Sequence, residues 1–303
     1  MFLVTGATGF VGRSLVQMLR ERKLPFAATS RKPGGDHIAV GNIDGSTDWR
    51  SALAGADTVL HLAAHNQNVI DGTTAEGETM RVVNVDGTTR LAEQSAAAGV
   101  KRFVFVSTIK VNGERSQTGK PFTAQSLPAP ETDYGRSKLE AENRIREIGQ
   151  ATGMEIVIIR PPLVYGKGAR GSFNALVELV KSGAPLPFGA IDNRRSVIHV
   201  DNLADLIVTA ALEPSAGGHV LMAADGAALS TADLIRKIAA ASGRRAMLLP
   251  VPPSFLRAAG AVTGKRDVVG RLVDSLEADC SETKRILGWT PPLSTDDGLR
   301  RSV

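Results

Sequence analysis

The sequence predicts an α/β protein: a doubly wound parallel sheet with a small C-terminal α/β lobe. Short apolar runs alternate with amphipathic helical patterns along the first half of the chain. Only 4% of the residues are aromatic and 31 are glycine, as in sheets that small-residue helices cover on both faces. A glycine-rich turn directly follows the first apolar run, which is where such folds bind phosphate groups.

Each apolar run predicts a strand, and each amphipathic stretch between two runs predicts a helix. The strands are expected at residues 2–4, 26–29, 37–40, 58–62, 102–106 and 155–160. The helices between them are expected at residues 12–22, 78–98 and 134–150. After Arg160 the alternation loosens into turn clusters around short helices at 201–212 and 231–242. This change predicts a smaller lobe that covers a substrate.

Composition excludes several classes of function. The net charge of +5 comes from 36 basic and 31 acidic residues, and the basic ones occur at most in pairs, which favours anionic small molecules over nucleic acid. The lone Cys280 excludes an internal disulfide. No apolar run reaches membrane-spanning length and no secretion signal opens the chain, so we expect a cytoplasmic protein with no membrane partner.

Three glycines after the first predicted strand form a candidate dinucleotide site. They let the backbone turn tightly and bring a pyrophosphate to the N-terminus of the following helix. The candidate cofactor residues of this turn are Gly6, Thr8, Gly9, Phe10, Val11 and Gly12. The context is typical of a Rossmann-type fold, so we expect a dinucleotide-binding domain at residues 1–165. Residues 166–303 are expected to form mainly a substrate-binding lobe, except that a segment at about 195–222 returns to the dinucleotide-binding domain.

The end of the second predicted strand bears on the choice of cofactor. An acidic residue there holds the ribose hydroxyl of NAD, whereas arginine accommodates the phosphate of NADP. Ser30 and Arg31 stand at this position and no acid occurs before Asp36. We therefore predict NADP, with NAD as the alternative cofactor. The other interpretation of Arg31 and Lys32 is a pair of solvated surface cations.

Tyr134 and Lys138 are four residues apart, which places both side chains on one face of a helix. An ammonium beside a phenol favours phenolate and lowers its pKa, so that the tyrosine can exchange a proton with a substrate oxygen. Thr108 follows a predicted strand at the carboxyl edge of the sheet and could orient that oxygen. Such pairs also occur on ordinary amphipathic helices, and a strand-end threonine can simply satisfy backbone groups.

His61 and His65 are also four apart, but no acidic partner stands at metal-ligand spacing. Core or turn histidines are the expected interpretation, and we predict no metal site.

Several motifs occur in order along nearly the whole chain, and together they resemble the extended short-chain dehydrogenases, the nucleotide-sugar epimerase/dehydratase family. These motifs are Thr5 to Gly12, His61-Leu62-Ala63-Ala64, Ser107-Thr108, Tyr134-Gly-Arg-Ser-Lys138, Arg160-Pro161-Pro-Leu-Val-Tyr-Gly166, His199-Val-Asp-Asn202 and Leu287-Gly288-Trp289. The resemblance implies the catalytic Ser/Thr, Tyr and Lys roles for Thr108, Tyr134 and Lys138. It also implies cofactor contacts for Asn42, Ile43, Leu62, Ala63, Ala64 and Pro161, beside Tyr134 and Lys138 themselves.

The resemblance further implies a UDP-sugar substrate. Arg195 matches the arginine that clasps the diphosphate, a task suited to a permanent forked cation. Pro187 and Phe188 match the uracil-contacting segment, although Phe188 could equally be a residue that packs in the core under the lobe. The other substrate candidates are Thr108, Lys110, Asn174 and Arg271.

Residues 107–114 and 189–196 more closely resemble bacterial UDP-4-keto-6-deoxy-N-acetylhexosamine 4-reductases, enzymes of surface-polysaccharide synthesis. Leu163 replaces the asparagine by which many UDP-sugar epimerases hold substrate, and Asn42 replaces the usual Asp. The leading hypothesis is therefore an NADP-dependent 4-reductase, and the runner-up is a UDP-hexose 4-epimerase with tightly bound NAD. A reductase of apolar ketones and a non-catalytic dinucleotide sensor remain as alternatives. A homodimer through the helices at 78–98 and 134–150 is expected from the family.

Overall fold

The computed structural model describes residues 1–65 and 74–303. The strands of this part of the chain are β1 Phe2–Thr5, β2 Phe26–Ser30, β3 His37–Ala39, β4 Thr58–His61, β5 Arg102–Val106, β6 Glu155–Arg160, β7 Leu163–Tyr165, β8 Val197–His199 and β9 Val220–Met222. Seven of them form one parallel sheet in the order β3-β2-β1-β4-β5-β6-β9, and β7 pairs with β8 in a small parallel sheet. The α/β class and the doubly wound parallel sheet are confirmed.

The helices follow the strands in alternation through the first half of the chain. They are α1 Phe10–Glu21, α2 Arg50–Leu53, α3 Thr74–Met80, α4 Gly87–Ala97, α5 Asp133–Thr152, α6 Ser172–Lys181, α7 Val200–Leu212, α8 Thr231–Ala241, α9 Pro253–Val262, α10 Arg266–Val273, α11 Ser281–Leu287 and α12 Thr295–Ser302. A π-helical turn at Arg81–Asp86 joins α3 to α4, and short 3₁₀ turns occur at Ile109–Val111 and Pro214–Ala216. No helix within the described ranges is both long and apolar enough to cross a bilayer.

The sheet is buried on both faces because successive strand residues point to opposite sides. On one face Val4 packs with Leu15 of α1 and Leu206 of α7. On the other face Leu3 packs with residues of α4 and α5, such as Ile145. The strand order reverses between β1 and β4, and α/β folds bind their ligands at the carboxyl ends of strands beside such a reversal.

The small lobe has a core of its own. Tyr165 of β7, Val197 of β8, Phe173 of α6 and Ile235 of α8 belong to one buried cluster. The sequence pattern missed β7, β8 and β9, which have three residues each and lie after Arg160, where the alternation of strands and helices loosens.

The predicted helix at 78–98 is wrong in its continuity. Helix α3 begins earlier, at Thr74, and the π-helical turn separates it from α4. Asn84 lies in this turn and is fully buried. Its side chain forms hydrogen bonds outside its own helix, and single π turns of this kind concentrate at functional sites. The hydropathy pattern of this segment shows the period of a helix. It does not show that the π-helical turn holds one residue more than an α-helical turn.

Candidate active site

The glycine turn after β1 is a tightly packed backbone cradle. Gly6 has φ +70°, and a Cβ there would lie 2.7 Å from the backbone N of Ala63. A Cβ on Gly12 would lie 2.1 Å from the carbonyl oxygen of Gly6. The N–H of Gly9 donates to that same carbonyl oxygen at 2.9 Å. Glycine is therefore required at positions 6 and 12 by contact with backbone that cannot move aside.

Helix α1 begins immediately after this turn, and no side chain caps its N-terminus, in contrast to α5, which Thr132 caps. Uncapped N–H groups and the positive end of the helix dipole suit a pyrophosphate. Thr8 and Gly9 are exposed and Phe10 and Val11 half-buried, so the predicted cofactor residues surround this N-terminus. The cradle fits a dinucleotide.

The residues expected to select the cofactor lie at the ends of β2 and β3. Ser30 is half-buried and its hydroxyl donates to the carbonyl oxygen of Lys32 at 2.7 Å, whereas Arg31 is exposed. Asn42 is exposed, and Ile43 packs so closely on α4 that a Cβ on Gly87 would lie 2.4 Å from it.

The end of β4 lies beside the glycine turn. His61 is fully buried, and its two ring nitrogens lie 2.6 Å from the Thr5 hydroxyl and 2.8 Å from the Thr88 hydroxyl. Burial lowers the pKa of His61 to about 3, so the ring is a neutral core group, as the sequence suggested. Leu62 is half-buried, Ala63 buried and Ala64 exposed along the segment that leaves the strand.

Thr108 lies at the carboxyl end of β5. Its hydroxyl caps the following 3₁₀ turn by accepting from the N–H of Lys110 at 3.3 Å, a long hydrogen bond. The N–H of Ile109 donates to the carbonyl oxygen of Pro161, which ties this segment to the predicted cofactor residue after β6. The capping role that the sequence left open for Thr108 is therefore present, and the hydroxyl hydrogen is not used by it.

The N-terminal turn of α5 packs against the Thr108 segment. A Cβ on Gly135, the residue after Tyr134, would lie 2.8 Å from the carbonyl oxygen of Lys110. Lys138, one turn further on, is 1% exposed, and its ammonium lies 3.8 Å from the centroid of the Phe105 ring. The topology therefore brings the predicted catalytic segments to one edge of the sheet.

Burial opposes the predicted effect of Lys138 on the tyrosine. Burial raises the pKa of Tyr134 to about 12, so the phenol is protonated at neutral pH. Burial also lowers the pKa of Lys138 to about 7, while the carboxylate of Glu142 acts in the opposite direction. Desolvation dominates for both groups, and the spacing of Tyr134 and Lys138 in the sequence carries no information about it.

A buried ion pair supports the catalytic segments. Glu142, one turn after Lys138, accepts from Arg160 Nε at 3.0 Å and Arg160 Nη2 at 2.5 Å. The Ser107 hydroxyl donates to the same carboxylate at 2.6 Å, and Arg160 also donates to the side chain of Asn112 at 3.2 Å. The pair joins α5, the end of β6 and both ends of the Thr108 segment. Sequence reasoning missed Glu142; the available signal was its place on the helix side of Ala141, Ile145 and Gly149.

Asn84 is a second residue that sequence reasoning missed. Its amide donates to the carbonyl oxygen of His65 at 2.9 Å and to the Ser137 hydroxyl at 3.0 Å, and its oxygen accepts from the N–H of His65 at 2.7 Å. Asn84 thus ties the segment after β4 to the catalytic helix between Tyr134 and Lys138. An amide among valines, at Val82-Val83-Asn84-Val85, was the available signal.

Charged residues expected at the substrate gather around Glu114. The ammonium of Lys110 lies 2.8 Å from its carboxylate. Arg195 is half-buried, donates to the carbonyl oxygen of Asp274 at 2.9 Å, and is close enough to Glu114 and Arg271 to feel both charges. Burial lowers the pKa of Arg195. The grouping suits an anionic substrate group.

The remaining predicted substrate residues are less informative. Asn174 is exposed on α6, and the Nε of Arg271 donates to Asp267 within α10. Pro187 is half-buried. Phe188 packs against the core of the small lobe, which agrees with the packing role that the sequence left open for it. Leu163 packs there as well.

The chain has close relatives among known proteins. A family model described as the NAD dependent epimerase/dehydratase family matches residues 2–223. A UDP-glucose 4-epimerase of Vibrio cholerae is 42% identical over 308 residues, which cover 99% of this chain and 94% of that protein.

Solved structures of similar fold carry bound ligands. MoeE5 in complex with UDP-glucose and NAD is 26% identical with a TM-score of 0.78, and the match covers 99% of this chain and 96% of that one. A short-chain dehydrogenase/reductase superfamily protein from Agrobacterium tumefaciens with bound NAD is 25% identical with a TM-score of 0.77, and covers 99% and 94%.

Proposed function

This chain belongs to the NAD dependent epimerase/dehydratase family, and on that premise we propose that it is a UDP-hexose 4-epimerase that works with retained NAD. The observation that carries the chemistry is the meeting of the glycine cradle, Thr108 and the Tyr134–Lys138 helix at one sheet edge. The 42% identity to a UDP-glucose 4-epimerase over 99% of the chain supports epimerisation over the reduction that the sequence analysis placed first.

Tyr134 is the proposed proton-transfer group. When the dinucleotide is bound, its nicotinamide supplies hydride exchange at C4 of the sugar. Thr108 positions the C4 oxygen by a hydrogen bond, and the phenolic oxygen of Tyr134 takes the hydroxyl proton as the keto sugar forms and returns it on reduction. The form of Tyr134 that accepts this proton is the phenolate, and because burial raises the pKa of Tyr134, the phenolate needs the positive charge of Lys138 on the same helix face.

Arg195 is the proposed anchor of the UDP diphosphate. It is a half-buried cation whose Nη1 donates to a backbone carbonyl oxygen, and its other N–H groups suit bidentate binding of phosphate oxygens. Arg271 adds positive charge beside it, and we propose that Lys110, Asn174, Pro187 and Phe188 complete the nucleotide end. We also propose a homodimer through α4 and α5.

One observation favours a second candidate, an NADP-dependent 4-reductase of a UDP-4-keto sugar. Arg31 is exposed at the end of β2, where it could meet a ribose phosphate. The first carboxylates after the strand do not replace an NAD-binding acid there: Asp36 is exposed beyond two glycines, and Asp44 accepts hydrogen bonds from Ser46. A reductase releases its oxidised cofactor in each turnover, whereas an epimerase retains it.

Two measurements separate the candidates. Purified protein is denatured and the released nucleotide is identified, and the native protein is supplied with UDP-glucose or UDP-galactose without added nicotinamide. The epimerase proposal expects retained NAD and interconversion of the two sugars. Retained NADP or an empty extract, together with NADPH oxidation by a UDP-4-keto sugar and none of the interconversion, would establish the reductase instead.

The substrate class has its own test with a matched control. Arg195→Leu is expected to raise KM for the UDP-sugar at least about tenfold, a loss of about 1.4 kcal/mol, because a charge-assisted contact to phosphate is removed. Arg194→Leu changes the neighbouring exposed arginine, which pairs with Glu277, and should leave KM nearly unchanged. Equal KM values for the two variants would remove the diphosphate assignment.

A further inference from the structure

Exposed apolar side chains are concentrated in one part of the small lobe. Five of the eight large apolar residues exposed in the described chain lie within residues 247–268. They are Met247 at 57% exposure, Leu249 at 47%, Phe255 at 70%, Val262 at 89% and Val268 at 48%. Clusters of this kind on a protein surface mark sites of interaction, whereas single exposed apolar residues do not.

Helix α9 is apolar on two opposite faces. Pro253, Leu256 and Gly260 are at least half-buried, and a Cβ on Gly260 would lie 2.6 Å from the side chain of Val269, so this face packs on α10. The other face consists of Phe255, Ala258, Ala259 and Val262, which have the i, i+3, i+4, i+7 spacing of one helix side and are all exposed. The α9–α10 hairpin therefore presents an apolar helix face to its surroundings.

The same region holds the excess positive charge of the chain. Residues 244–271 contain one acidic side chain and six basic ones, a net charge of +5, which equals the net charge of all 303 residues. The remainder of the chain is therefore neutral overall. The basic side chains are Arg244, Arg245, Arg257, Lys265, Arg266 and Arg271. An apolar helix face flanked by cations is the signature of a helix that lies in a membrane interface.

We propose that the α9–α10 hairpin docks on the surface of a membrane rich in anionic lipid. Phe255 and Val262 enter the boundary between headgroups and acyl chains, and Lys265 and Arg266 contact lipid phosphates. Charge complementarity selects this partner over a second copy of the chain, because a symmetric contact would bring two copies of this net-positive segment together. The proposal departs from the sequence analysis, which expected no membrane partner because no apolar run is long enough to span a bilayer; docking of this kind needs no spanning segment.

The docking surface is linked directly to the proposed substrate anchor. The carboxylate of Asp274 accepts from Arg257 of α9 at 2.7 Å, and the carbonyl oxygen of the same residue accepts from Arg195 at 2.9 Å. One residue thus joins the apolar hairpin to the diphosphate cation. Docking would hold the substrate-binding lobe, and with it the entrance to the site, against the bilayer.

The test is sedimentation of the full-length protein with vesicles, which does not depend on catalysis. Phosphatidylcholine vesicles that contain the anionic lipid phosphatidylglycerol are compared with pure phosphatidylcholine vesicles. We expect binding to the anionic vesicles and weak binding to the neutral ones. Hydrogen exchange in the presence of vesicles should protect residues 253–273 selectively, a measurement that needs no variant.

Two pairs of variants separate the apolar and electrostatic contributions. Phe255→Ser with Val262→Ser should abolish sedimentation, whereas the control Leu127→Ser with Leu212→Ser, which changes exposed residues elsewhere, should not. Lys265→Glu with Arg266→Glu should weaken binding at least about 25-fold, since each cation near the surface contributes about fivefold. Its control, Lys284→Glu with Arg285→Glu, makes the same charge change on α11.

Several outcomes would overturn the proposal. Absence of binding to anionic vesicles would do so, as would protection elsewhere in the chain. Equal effects of the docking-surface and control pairs would show nonspecific attraction of a basic protein. Concentration-dependent self-association that disappears with Phe255→Ser and Val262→Ser, in place of vesicle binding, would assign the surface to a second copy. None of these results bears on whether the chain is an epimerase.

Discussion

Replacement of Gly12 by alanine tests the glycine cradle most directly. The added Cβ would lie 2.1 Å from the carbonyl oxygen of Gly6, and 2.8 and 2.9 Å from the Cα and carbonyl carbon of Ala7. All three contacts are with backbone, so no side-chain rotation relieves them. The same carbonyl oxygen accepts the hydrogen bond from the N–H of Gly9 that closes the turn. Relief of the clash must therefore distort the turn itself.

The expected change in the free energy of unfolding of Gly12→Ala follows from two opposing effects. Overpacking of a close-packed interior costs about 1–3 kcal/mol, and three backbone contacts below 3.0 Å place Gly12→Ala at the upper end of that range. Alanine favours a helix interior by about 1 kcal/mol over glycine, which offsets part of this cost. We expect the free energy of unfolding to fall by about 2 kcal/mol, and the affinity for NAD to fall at least about tenfold because the pyrophosphate cradle opens.

The matched control is Gly77→Ala in α3, a helical glycine whose added Cβ would meet its nearest neighbour, a carboxylate oxygen of Asp133, at an ordinary 3.7 Å. This variant should be as stable as the parent or more so by up to about 1 kcal/mol. Urea unfolding and titration with NAD give both quantities for each variant. If Gly12→Ala matched Gly77→Ala in stability and NAD affinity, the cradle geometry described here would be refuted.

Three further changes test the buried groups of the site. Glu142→Gln should destabilise the chain by about 3–5 kcal/mol by leaving the buried cation of Arg160 unpaired, and adding Arg160→Met should recover most of the loss in urea unfolding. The pKa of His61 is about 3 in the folded chain and 6.5 as the ordinary value, so unfolding takes up a proton below pH 6.5 and stability falls as pH falls. Between pH 7 and pH 5 this loss is about 2 kcal/mol, and His61→Gln should lack it in unfolding measured at both pH values. Tyr134→Phe should reduce turnover about 10²–10⁴-fold while NAD still binds, because the hydroxyl that moves the proton is lost.

Each of these three has a clear contrary result. Unfolding of the Glu142→Gln, Arg160→Met double variant at the same denaturant concentration as the single variant would show that the unpaired cation is not the cause. An equal pH dependence in the parent and in His61→Gln would place the titrating group elsewhere. Turnover of Tyr134→Phe near the parent level would exclude the phenol from proton transfer.

The sequence alone determined the features that depend on local geometry. A glycine at position 12 is required by a turn of seven residues, and the spacing of Tyr134 and Lys138 places them on one face of any helix. The strand–turn–helix order predicted the parallel sheet, which the structure confirmed. Thr108 and the glycine turn both follow strands of this sheet, so they lie at the same edge, where the strands have their carboxyl ends. The hydrophobic periodicity of an element and the residue types of a turn are properties of neighbouring residues, so one sequence suffices to show them.

Only the tertiary structure decided the groups whose behaviour depends on distant partners. Glu142 and Arg160 meet across 18 positions, His61 and Thr5 across 56, and Asp274 and Arg195 across 79. The burial that raises the pKa of Tyr134 comes from packing around it, and the spacing of Tyr134 and Lys138 predicted the opposite direction. The apolar residues of α9 lie on two faces, of which one packs on α10 and the other is exposed. Desolvation and exposure are set by what packs against a group, and that information is not local in the chain.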